Sequence, residues 1–162
     1  MRNFRQFQDE KIDFATGDKN VTVIHGSNGS GKTTLLNAFT WVLYDTVDFD
    51  TRPDRLVTEG VMAAASPGDK IEVSVTLKFA HEDEHYTATR KALFEKQSAD
   101  DFDGRIEDSE IVLERTSNLN SERIENANHF LNTIIPKRLS ELFFFDGEDI
   151  DELAGVDNQG KI

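Results

Sequence analysis

The sequence predicts an α/β fold: a mixed sheet with a helix at its centre and an antiparallel β portion. Three observations carry that expectation. A β-branched run, Val21-Thr22-Val23-Ile24, enters a glycine-rich turn that leads straight into an apolar helical stretch. Ile71, Val73, Val75, Leu77 and Phe79 alternate with Glu72, Ser74, Thr76 and Lys78, the period of a strand with one wet face. Ile124, Ala127, Phe130, Leu131, Ile134 and Ile135 recur at helical spacing until Pro136 stops the pattern.

Taken in order, residues 21–24 read as a buried strand, because β-branched side chains suit a pleated, enclosed surface. Residues 33–45 read as a helix whose Leu35, Leu36, Ala38, Phe39, Trp41, Val42, Leu43 and Tyr44 occupy nearly every side. A helix apolar all round is normally enclosed, so it belongs at the centre. Residues 46–69 contain Pro53 and Pro67 and read as irregular surface around a short apolar segment. The alternating strand at 71–79 is followed by a polar tip at 81–85 and a return strand at 86–94. An acidic stretch at 97–108 reads as a loop, and Ile111-Val112-Leu113 as one more strand. A helix is expected over 121–135, and another turn or two over 137–145. There is no internal repeat.

The bulk properties exclude several classes. The 162 residues are enough for one domain with a core and too few for two comfortable ones. The longest apolar run is the five residues 61–65, far short of the roughly 20 that a spanning helix needs. No apolar leader follows Met1, and there is no cysteine for disulfides, thiolate metal sites or thiol chemistry. These features point to the cytoplasm and away from membranes. Thirty-one acidic against 18 basic residues leave a net charge of −13, which repels nucleic acid from the isolated chain. Two readings of that acidity stay open: a solvated surface, or adaptation to a cytoplasm of very high salt.

The chemistry lies in Gly26-Ser27-Asn28-Gly29-Ser30-Gly31-Lys32-Thr33, which fits G-x-x-x-x-G-K-[ST] at every defined position. Glycines open backbone conformations closed to residues with a Cβ. They also let N–H groups converge on phosphate oxygens at the positive end of the following helix. Lys32 adds a mobile charge for the β and γ phosphates, and Thr33 a hydroxyl ligand for Mg²⁺. With Thr34 completing the helix start, the stretch 27–34 predicts a site for a nucleoside triphosphate, ATP with Mg²⁺. A second match, His81-Glu82-Asp83-Glu84-His85, has the H-E-x-x-H zinc pattern. That chemistry needs both histidines on one helix face, whereas here the residues form the tip between two strands. His25 and His129 have no partners at ligand spacing. Leu142-Phe143-Phe144-Phe145-Asp146-Gly147-Glu148 remains: either a core-entering end before a solvated turn, or three aromatics anchoring a loop that aims Asp146 or Glu148 at the metal.

Together, Asn3-Phe4-Arg5-Gln6-Phe7, Ile12-Asp13-Phe14, the run from Val23 through the P-loop to Ala38, the strand at 72–79, Tyr86-Thr87-Ala88-Thr89-Arg90 and Phe145-Asp146-Gly147-Glu148 resemble the N-terminal lobe of an SMC-type, SbcC-like ATPase head. Such heads are P-loop NTPases that act in DNA double-strand-break repair. The Phe-Asp-Gly-Glu ending is similar to the SMC-like component of DNA phosphorothioation systems. The resemblance implies that Arg5 contacts phosphate and that Asp146, where the family usually has Gln, approaches Mg²⁺ and the attacking water. It further implies that two heads sandwich ATP and couple closure to DNA. On this reading residues 1–162 form a single lobe without its C-terminal lobe and coiled coil, whose Asp-Glu pair and Leu-Ser-Gly-Gly signature complete hydrolysis. The partners are then ATP, a C-terminal lobe in trans or a second head, and DNA through the assembled complex. The alternatives are a non-catalytic nucleotide-binding stub, or a P-loop kinase or GTPase, for which no arginine-rich lid or Asn-Lys-x-Asp motif is present.

Overall fold

A strand with one apolar face needs a neighbour to pair its backbone, and the alternating segment finds one in the residues that follow it. In the computed structural model, which describes residues 1–47, 56–98, 109–117 and 120–144, β3 (Lys70–His81) and β4 (Glu84–Glu95) pair along their full length. The turn between them, Glu82-Asp83, has φ of 49° and 64°. Two left-handed residues give the twist that a two-residue hairpin requires. A much shorter hairpin, β1 (Arg2–Phe4) and β2 (Phe7–Asp9), joins one edge through β1, and β5 (Glu110–Ser117) and β6 (Asn120–Arg123) extend the other. The strand order is β2-β1-β3-β4-β5-β6.

One face of this sheet carries the helices. α1 (Lys32–Tyr44) packs across β3 and β4 and against α3 (Ala127–Ile134), which also covers β5. Phe4, Trp41, Val42, Val73, Phe94, Leu113 and Leu131 form the buried centre. The short α2 (Glu59–Ala64) buries Met62, and a 3-10 turn at Lys137–Leu139 leads into α4 (Ser140–Phe143). No helix among the described residues is long and apolar enough to cross a membrane.

The α/β class and the antiparallel portion stand, and the expectations differ elsewhere for physical reasons. Val21-Thr22-Val23-Ile24 is not a strand. Val21 and Val23 are 76% and 71% exposed, because no strand among the described residues pairs with this segment. Every pairing among those residues is therefore antiparallel, and the parallel component of a mixed sheet is missing there. α1 buries Ala38, Trp41, Val42 and Leu43, but Leu35, Leu36 and Phe39 are only half-buried. Leu35 and Phe39 line a groove of about 540 Å³ shared with Ile12, Phe14 and Leu77, so among the described residues α1 lies on one face of the sheet with that side open. Within the expected helix 121–135, residues 120–123 form β6, which sets Arg115 opposite Glu122 and Glu114 opposite Arg123. Opposite charges on facing strands favour that pairing over helix. Most of the expected loop at 97–108 lies outside the described residues.

Candidate nucleotide-binding site

The glycine-rich segment shapes the start of α1. Gly31 has φ of 102°, a conformation that strains any residue with a Cβ. Its carbonyl accepts the first helical hydrogen bond, from the Leu35 N–H at 2.9 Å. Four residues earlier a tight turn closes, the Ser30 N–H donating to the Ser27 carbonyl at 3.1 Å. At Gly26, the Ser30 side chain fills the space a Cβ would need. The Lys32 side chain curls back over this turn and donates to the Gly26 carbonyl at 2.9 Å and the Ser27 carbonyl at 3.1 Å. An ammonium has three hydrogens, so one more is available for a phosphate oxygen above the loop.

Ser27, Asn28, Gly29, Ser30, Lys32 and Thr33 are all exposed, while Thr34 is buried. The N–H groups of the first turn have no carbonyl four residues back, and the helix dipole adds partial positive charge at the same end. An exposed loop, an ammonium with a hydrogen to spare and a helix start thus lie side by side, a combination that suits an anion.

A neighbour comes from the chain's beginning. The β1–β2 turn is Arg5-Gln6, with Phe4 paired to Phe7. Arg5 has φ of 55° and its N–H donates to the Leu56 carbonyl at 2.6 Å. The Gln6 Oε1 accepts from the Thr34 hydroxyl at 2.9 Å, and the Gln6 carboxamide and Phe7 ring press on Gly31, leaving no room for a Cβ. The hairpin turn therefore rests on the P-loop, and Arg5 is one residue from that contact. Gln6 was not among the residues the sequence singled out. Its signal lay inside the quoted Asn3-Phe4-Arg5-Gln6-Phe7 run, but a contact spanning 28 residues has no local pattern.

Asp146 lies outside the described residues, as do Phe145 and Glu148. Of the aromatics before it, Phe144 packs on α1, 6.0 Å from Phe39 and 6.3 Å from Tyr44 between ring centroids. Phe143 is 61% exposed. His81-Glu82-Asp83-Glu84-His85 is the β3–β4 tip, as expected, and no three potential metal ligands cluster among the described residues. His25 and His129 are both exposed.

Residues 1–159 match a family profile described as an AAA domain. The chain belongs to that family. AAA domains are P-loop NTPases, which agrees with the loop geometry above. Over all its 162 residues the chain is 30% identical to a DNA double-strand break repair Rad50 ATPase of Halobacterium salinarum, covering 15% of that protein. It is also 32% identical over 92 residues, 57% of this chain, to the protein of the same name from Archaeoglobus fulgidus, covering 9% of it. The chain thus spans a small part of the curated relatives it matches. The resemblance to the N-terminal lobe of an SMC-type DNA-repair ATPase, read from the motifs, holds in these relatives.

Proposed function

We propose that this AAA domain is the ATP-binding lobe of an SMC-type ATPase acting on DNA, and that hydrolysis requires a second lobe. The observation that carries the reading is the folded-back Lys32 over a turn that only glycine at 31 allows, at the start of α1. The residues fit the group they would hold. Ser27, Asn28, Gly29, Ser30 and Gly31 wrap the phosphates, Lys32 neutralises the β and γ charges, and Thr34 lies in the first helical turn. Mg²⁺ when bound would supply further neutralisation of phosphate charge, and the hydroxyl of Thr33 together with Asp146 would hold it. Arg5, on the hairpin turn beside the loop, adds a cation toward phosphate. Asp146 holds the attacking water.

Two features support a partner lobe. Val21, Val23 and Ile24 are exposed in a segment of strand-forming composition, and the groove beside α1 is open and apolar. Strands supplied by a C-terminal lobe in trans cover both, enclose α1 and make the sheet mixed. A second head then closes over the nucleotide, and DNA engages the assembled complex. The relatives' names favour break repair as the setting. DNA modification, carried by Phe145-Asp146-Gly147-Glu148, is the alternative setting.

Phosphoryl transfer needs positioning, a metal, an oriented water and charge stabilisation together. The isolated chain is therefore expected to bind ATP and to turn it over scarcely above background, with the C-terminal lobe in trans restoring turnover. Asp146→Ala then lowers turnover more than it lowers ATP affinity. Robust hydrolysis by the 162 residues alone, lost in Lys32→Ala, would sink the two-lobe reading.

A further inference from the structure

Gln6 belongs neither to the core nor to the phosphate cradle, yet it makes two specific contacts. It is exposed on the β1–β2 turn; its Oε1 accepts the Thr34 hydroxyl at 2.9 Å, and its carboxamide lies hard against Gly31. A threonine hydroxyl has a single hydrogen. While that hydrogen points at Gln6, Thr34 offers the loop only lone pairs, which repel a phosphate oxygen. Thr34 donates to phosphate only after it lets Gln6 go.

We propose that Gln6 is a nucleotide-sensitive latch, which competes with a phosphate oxygen for the single hydrogen of the Thr34 hydroxyl and gives it up when nucleotide binds. The proposal deepens, and rests on, the reading of 26–34 as the phosphate site. Release at Gln6 reaches the hairpin it belongs to. Arg5, beside it, has left-handed φ of 55°, a conformation that persists only while its surroundings hold it. Phe4, on the other side of Arg5, is fully buried with its ring 5.4 Å from that of Trp41. Trp41 is the single tryptophan of the chain, so its emission reports on the hairpin. Nucleotide occupancy is thus passed from Thr34 through Gln6 to the strand that carries Phe4 and the turn that carries Arg5.

The test is a double-mutant cycle with Gln6→Met, Thr34→Val and the pair, reading Mg·ATP affinity by calorimetry and Trp41 emission on the same chain. Gln6→Met is nearly isosteric and exposed, so the core is untouched. With no hydrogen bond to break, it binds Mg·ATP about two- to tenfold more tightly than the parent. In the Thr34→Val background the same change leaves affinity unaltered, because the hydroxyl it acts through is gone. ATP alters Trp41 emission in the parent and not in Gln6→Met. Weaker binding by Gln6→Met, an equal gain in both backgrounds, or an ATP response of Trp41 that survives the substitution would each overturn the latch. Lys32→Ala run alongside separates the two levels. Lost affinity there with no effect at Gln6 overturns the latch alone, and unchanged affinity overturns the phosphate site and the latch together.

Discussion

Gly31 meets two demands at once, and neither leaves room for another residue. Its φ of 102° is left-handed, and the Gln6 carboxamide and Phe7 ring occupy the place of a Cβ. Gly31→Ala should lower stability by about 1–3 kcal/mol through backbone strain and weaken ATP binding as the loop shifts. Urea melts and nucleotide titrations of the variant check both, and unchanged values would mean the loop is more adaptable than its packing implies. This part of the site was legible in the sequence because a P-loop is contiguous: glycine spacing, lysine and hydroxyl follow one another along the chain. Gln6 was not legible, since it reaches Gly31 and Thr34 only after the β1–β2 hairpin folds over.

Among the elements, α1 is held at both ends. Its start meets the hairpin turn, and its last turn is held by Arg90, which is 2% exposed on the inner face of β4. Arg90 donates from Nε to the Val42 carbonyl at 3.2 Å, and from its terminal nitrogens to the Ser109 hydroxyl at 2.9 Å and the Asn128 amide oxygen at 3.0 Å. Tyr44 adds a hydrogen bond to the Ile135 carbonyl at 3.2 Å, and burial raises its hydroxyl pKa above the ordinary value. Arg90→Met should therefore cost about 2–4 kcal/mol, since hydrogen bonds from a charged group contribute about 1.5–3 each and add incompletely. A urea midpoint equal to the parent's would show that β4 and α3 hold α1 without it. The β3–β4 hairpin was readable because alternation ran long on both strands. The three-residue strands β1 and β2 are too short for a period to show, and Arg5 gives no glycine or asparagine turn signal. Residues 120–123 became a strand through cross-strand charge pairs that helical spacing does not report. Val21–Ile24 has strand composition, but pairing partners decide whether a strand forms.

For the whole molecule, the net charge is −13, and most of the acidic side chains among the described residues are exposed, among them Glu10, Asp13, Asp69, Glu82, Asp83, Glu114 and Glu125. Such a surface repels itself, and monovalent salt screens the repulsion over a few ångströms. The melting temperature should rise markedly between about 0.1 and 2 M KCl, and a flat profile would reduce the acidity to a solvated surface. The central claim is narrower: phosphate binds over the turn that Lys32 spans. Titration calorimetry of Mg·ATP against the parent chain and Lys32→Ala tests it most directly. The account predicts that the variant loses about 1.5–3 kcal/mol of binding free energy, roughly 10- to 150-fold in affinity, while its fold stays nearly intact. Equal affinity in the two proteins would contradict it.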